Sequence, residues 1–143
     1  MRKLLLPLVL LFTSLTCFGV TPEEAEEYRQ AAEQGNAWDQ AILGVLYDNG
    51  DGVPEDDTEA VKWYRKAADQ GDADAQFNLG LMYRKGDGIT QDDVMAYMWF
   101  NLAAAQGYEY AKKNKGLISK RMTKEQIAEA QKLSREWMAK RQK

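Results

Sequence analysis

Residues 43–71 read LGVLYDNGDGVPEDDTEAVKWYRKAADQG, and residues 79–107 read LGLMYRKGDGITQDDVMAYMWFNLAAAQG. The second stretch is the first displaced by 36 residues. Gly44 falls on Gly80, Tyr47 on Tyr83, and Gly50 and Gly52 on Gly86 and Gly88. Asp57 falls on Asp93, Ala60 on Ala96, Trp63 on Trp99 and Tyr64 on Phe100. The register extends outward on both sides. Gly35, Gly71 and Gly107 coincide, as do Ala31-Ala32, Ala67-Ala68 and Ala103-Ala104, and Gly116 continues Gly44 and Gly80. A fixed period of this size means a stack of supersecondary units, each burying its apolar face against the next.

Each unit reads as two helices. From Ala73 to Lys85 the apolar residues Ala75, Leu79, Met82 and Tyr83 return at helical spacing. Gly86-Asp87-Gly88 stops that helix with residues that accept positive φ. Asp92 and Asp93 can cap a second helix reaching about Gln106, with Ala96, Trp99, Phe100 and Ala103 on one face. In the first unit Asp56 and Glu59 stand at capping-box spacing. Small Gly and Ala at fixed offsets let helices approach closely, and the Trp and Tyr/Phe positions fill the space between units. Pro22 to Gln34 and Tyr108 to Ser119 supply flanking helices, and Thr123 with Gln126 opens a last one through a second capping box. The expected stripe of that last helix is Ile127, Ala130, Leu133, Trp137 and Met138, with Lys132, Arg135, Lys140 and Arg141 outside it. A solenoid needs an end cap with a polar outer face, and this helix suits that task. The fold expected is all-α, a short solenoid of paired antiparallel helices: full units at about 36–71 and 72–107, solenoid over 20–122, capping helix over 123–143.

The recurring block, Leu43-Gly44, Tyr47, Gly50, Gly52-Val53, Asp56, Ala60, Trp63-Tyr64, Ala67-Ala68 and Gly71, resembles the Sel-one-like repeat, a relative of the tetratricopeptide repeat. The resemblance covers roughly residues 23–122. It implies a right-handed solenoid that binds other proteins, with the first helix of each unit lining a concave groove. On that pattern the groove side carries Trp38, Ala41, Val45, Asp48 and Asn49, then Asp74, Phe77, Leu81, Arg84 and Lys85, then Tyr110, Lys113, Leu117 and Lys120. Trp38 and Tyr110 stand where the family usually has a small polar residue, as at Asp74. Trp, Tyr and Arg are the residues most often found as binding hot spots. The groove expected to hold a protein or peptide partner is therefore Trp38, Phe77, Leu81, Arg84, Lys85, Tyr110, Lys113 and Lys120, its cations favouring an acidic partner.

The front of the chain reads as an address. Arg2 and Lys3 precede a mostly apolar run from Leu4 to Leu15, and small residues follow at Cys17 and Gly19. That is the order of a secretory signal peptide cut after Gly19. The run is shorter than the about 20 apolar residues of a membrane span. No other apolar run follows, so the mature chain has no integral membrane segment, and the expected setting is a periplasm. The competing readings are lipidation at Cys17, where Ser14-Leu15-Thr16 is a poor match, and retention as an anchor. Residues 20–60 carry twelve acidic groups against Arg29 alone, while residues 61–143 carry sixteen Lys and Arg against ten Asp and Glu. Solvated helix faces account for this pattern. It also suits head-to-tail self-association, the alternative function. With an export signal and an acidic total, nucleic acid is not an expected partner.

Histidine is absent and the one cysteine lies in the leader, which removes most general acid–base, thiol and His/Cys zinc chemistry. Some Cys-rich relatives in the family are linked to penicillin binding or β-lactam hydrolysis. A Ser-x-x-Lys nucleophile is missing here, because Ser119 is followed by Met122 and Ser134 by Trp137 at the Lys position. The oxygen-rich run Asp48 to Asp57 lacks EF-hand spacing and reads as turn and cap. No catalytic residue, metal or cofactor is expected.

Overall fold

The computed structural model describes residues 19–143. The leader reading and Cys17 fall on residues 1–18, outside the described residues. Among the described residues there are seven helices and no strand: α1 (Pro22–Glu33), α2 (Ala37–Asn49), α3 (Asp57–Asp69), α4 (Ala73–Lys85), α5 (Asp93–Ala105), α6 (Glu109–Ser119) and α7 (Lys124–Arg141). None of them is long and apolar enough to cross a membrane.

The starts and stops follow the local chemistry. Asp56, Asp72 and Asp92 cap α3, α4 and α5 by accepting from backbone N–H groups three residues on. The reciprocal half of the Asp56–Glu59 box does not form, since Glu59 turns to Lys62 instead, 3.4 Å away. The full box is at Thr123–Gln126, as expected, and a further one stands at Thr21–Glu24. α2 and α4 end at Gly50 and Gly86, with φ of 71° and 81°.

Successive helices pack on one another from α1 to α6, alternate helices meet along α2–α4 and α4–α6, and the core runs through the stack. Gly44 and Gly80 set the close approach within each unit. A Cβ on Gly44 would lie 2.5 Å from the Tyr64 ring, and one on Gly80 would lie 2.6 Å from the Phe100 ring. Both rings are essentially fully buried.

Glutamines tie the units together, a feature the sequence reading did not weigh. Gln70 donates to the Gly35 carbonyl at 3.0 Å and to Gln40 at 2.8 Å. Gln106 repeats both bonds to Gly71 and Gln76, each at 2.9 Å. Gln40 and Gln76 pass the chain on to the Ala32 and Ala68 carbonyls. The signal was present, as these glutamines recur at the repeat period. Buried amides are tolerated because each finds partners.

The last helix departs from the repeat. α7 packs on α5, not on α6. Ser134 lies by Met98, Trp137 meets Trp99 edge-on at 6.2 Å, and Arg141 reaches Asp69 and Gln70, so α7 runs alongside α5 in the same direction. Its inward stripe is Ile127, Ala130, Leu133, Ser134 and Trp137. Met138 is partly exposed, and Arg141 stays exposed outside the stripe, as expected, while its guanidinium reaches across to α3. Arg141 donates to the carbonyls of Asp69 and Gln70 at the end of α3 and stacks over Trp137 at 4.7 Å. A guanidinium serves there because the last carbonyls of a helix lack internal partners and carry partial negative charge. The displacement follows from the connector. Residues 120–123 join α6 to α7, where residues 50–56 and 86–92 join the earlier pairs.

Candidate functional site

The expected groove residues lie on α2, α4 and α6, the first helices of their units, with Lys120 just past the end of α6. The structure gathers some of them and separates others. Phe77 is the centre of an aromatic cluster, with ring centroids 5.1 Å from Tyr108, 5.8 Å from Phe100 and 6.4 Å from Tyr110. It is half-buried, and so is Leu81, which packs against the core. Tyr110 stands on this cluster with 68% of its surface exposed. Trp38 is 58% exposed and lies apart from it, leaning on Tyr28 at 6.2 Å. Leu117 is also largely exposed.

The cations divide in the same way. Arg84 is tied to Asn114 at 2.7 Å and so works as an inter-unit brace. Lys85, Lys113 and Lys120 are exposed and make no ion pair or side-chain hydrogen bond among the described residues. Arg121 is instead paired to Asp93 at 2.5 Å, which raises its pKa. The repeat positions Tyr47 and Tyr83 accept from Arg29 and Arg65, at 2.7 and 2.6 Å.

Electrostatics next to the cluster come from Asp74. Burial, with the Asp74 carboxylate beside it, pushes the Tyr108 hydroxyl up to about 12. Tyr64 is pushed higher by deep burial and by Asp48, to whose carboxylate it donates at 3.3 Å. Both phenols are neutral hydrogen-bond donors at ordinary pH.

Cavities lined by described residues lie outside the expected groove. One, of about 500 Å³, is lined by Gly19, Val20, Glu24, Glu27, Tyr28 and Asp39 at the α1 end. Another, of about 270 Å³, lies between α5 and α7, lined by Gly71, Leu102, Gln106, Trp137 and Arg141 among others. The acidic one was not anticipated. Its signal was the run of glutamates around Tyr28, which reads as an ordinary solvated face. Asp48 to Asp57 is turn and cap: Gly50 ends α2, and Asp56 caps α3 while its N–H donates to the Tyr47 carbonyl. Among the described residues no group of three or more acidic side chains is arranged to hold a metal ion.

The Sel1 repeat family model matches residues 28–36, 40–72 and 73–108. Solved structures similar to this chain include two of the same repeat type. One is a protective antigen present in uropathogenic Escherichia coli strains and displaying an SLR fold, 34% identical, TM-score 0.80, covering 82% of this chain and 26% of its own. The other is a Sel1 repeat protein from Oxalobacter formigenes, 36% identical, TM-score 0.64, covering 67% of this chain and 39% of its own. The chain thus spans well under half the length of either. No curated protein matches it.

Proposed function

The chain belongs to the Sel1 repeat family, generally a protein–protein interaction module, and on that premise we propose that it is an exported module that holds an acidic partner segment along α2, α4 and α6. The observation that carries the reading is the exposure of Trp38 and Tyr110, at 58% and 68%, at equivalent positions of α2 and α6. Large aromatics held open to water on a rigid scaffold favour a contact surface, because covering them is favourable and little side-chain entropy is lost. Phe77 and Tyr108 support Tyr110 from behind, so it is presented in a fixed place. Lys85 on α4, Lys113 on α6 and Lys120 just past α6 supply positive charge unpaired among the described residues and would speed encounter with an acidic segment. Export rests on the leader pattern of residues 1–19.

The test is a crosslinking pull-down from periplasmic extract of the native chain against a Trp38→Ala/Tyr110→Ala double variant. Both side chains are exposed, so the variant keeps its helical circular dichroism. Phe77 is left intact, since it packs on Phe100 and its loss would disturb the fold. The reading predicts a partner held by the native chain and lost by the variant. Equal recovery by both would place the contact surface elsewhere. The mass of the chain in that fraction checks the leader, with a start at Val20 expected.

A further inference from the structure

Among the described residues the stack ends in two incomplete units. α6 is a first helix without a second, because α7 leaves it for α5. Gly116 stands at the register of Gly44 and Gly80, yet a Cβ placed on it meets nothing within 4 Å. The chain offers nothing of its own for that socket, since the Tyr64/Phe100 register falls on Glu136. α1 is the converse, a second helix with no described first helix before it. Tyr28 stands 36 residues before Tyr64, and Gln34 stands 36 before Gln70. Tyr64 and Phe100 are 1% and 0% exposed, whereas Tyr28 is only partly buried. Gln34 makes no side-chain bond among the described residues, unlike Gln70 and Gln106.

We propose that copies of the chain join head to tail, α1 of one copy seating on α6 of the next so that the two half-units close into a complete one. In the joint, Tyr28 enters the socket at Gly116, as Tyr64 does at Gly44. Gln34 donates to the Gly107 carbonyl, as Gln70 does to Gly35. The charges agree with this seating. The cavity beside Tyr28 is lined by Glu24, Glu27 and Asp39. The open side of α6 carries Lys112, Lys113 and, just beyond it, Lys120, none of them in an ion pair among the described residues. Lys112 occupies the register of Gln40 and Gln76, opposite the incoming Gln34. A second copy is the occupant because aromatic, amide and charge all arrive in the repeat's own register. The contact is heterologous, so it builds a ring where the rotation closes and an open chain where it does not.

Sedimentation velocity of the protein purified from cells expressing the full chain tests this, over a concentration series at low and high salt. The native protein should associate with rising concentration, more weakly at high salt as the charges are screened. Gly116→Trp fills the socket where nothing is touched, so it folds normally and should weaken association by about tenfold or more. Tyr28→Ala blocks the other end with the same result. An equimolar mixture of the two variants keeps one intact head and one intact tail and should form 1:1 complexes and nothing larger. A native protein that stays monomeric up to about 0.1 mM at low salt overturns the proposal. So does a Gly116→Trp protein that associates like the native one, or a mixture that stays monomeric. Gly116 is separate from the Trp38/Tyr110 pair, so failure of the Gly116→Trp test leaves the pull-down result standing.

Discussion

Gly80→Ala and Gly116→Ala make the same chemical change at the same repeat position and should move stability in opposite directions. At Gly80 the added Cβ lies 2.6 and 2.7 Å from two carbons of the Phe100 ring and 3.3 Å from the Ala96 carbonyl oxygen. Ordinary carbon contacts lie near 3.5–4.0 Å, so the ring must retreat by about 1 Å. Phe100 is 0% exposed and also packs on Phe77, so little room exists for that retreat. Overpacking a tight core costs about 1–3 kcal/mol, and a displacement of this size belongs in the upper half of that range. Alanine's better helix propensity returns about 1 kcal/mol, leaving a net loss of about 1–2 kcal/mol. At Gly116 no atom stands within 4 Å, so only the propensity gain remains, about 0.5–1 kcal/mol of stabilisation. Urea denaturation followed at 222 nm, at low micromolar concentration, measures both. Comparing m-values checks that the stack still unfolds as one unit. In thermal melts about 1 kcal/mol corresponds to a shift of roughly 4 °C for a chain of this size. A Gly116→Ala protein as destabilised as Gly80→Ala would mean that α6 is covered, and the open-end reasoning would be refuted.

Three further predictions follow from the same contacts. Arg141→Met removes the guanidinium from the Trp137 face and strips two carbonyls at the end of α3 of their donor; it should cost about 1–2 kcal/mol and raise hydrogen exchange selectively in the last turns of α7. The indole N–H groups of Trp63 and Trp99 are buried with no protein acceptor, so Trp63→Phe should cost under about 1.5 kcal/mol, against about 3–5 kcal/mol for Trp63→Ala, both read by urea melts. Tyr108 and Tyr64 hold their protons more tightly when folded than when unfolded, so their contribution is complete below about pH 10 and falls away above it, through about 12 for Tyr108 and over a still higher range for Tyr64; absorbance at 295 nm should show late-titrating tyrosines, and Tyr64→Phe should flatten the alkaline loss of stability.

Much of the repeat was legible from spacing because local chemistry and packing agree there. Gly44, Tyr64 and their partners at Gly80 and Phe100 serve one contact twice, and a contact made twice leaves a periodic trace in the residues that make it. The caps at Asp56, Asp92 and Thr123 are likewise set within a few residues of chain. The surface was only partly legible. Trp38 and Tyr110 stood out as large aromatics at a small polar position, yet their sequence neighbourhood is the same whether they are buried or exposed. That depended on which helices pass beside them. The division within the candidate site, Phe77 and Arg84 drawn into the scaffold while Tyr110, Lys113 and Lys120 stay in solvent, has the same origin.

The two ends were settled by tertiary structure alone. Period and composition predicted a last helix and its capping box, but not that a short connector would send it along α5 and bring Arg141 to the end of α3. Gly116 is in perfect register, and register is a property of the chain. Whether a glycine in register is filled depends on a ring supplied from elsewhere, and the distance from Gly116 to any ring is a property of the folded molecule.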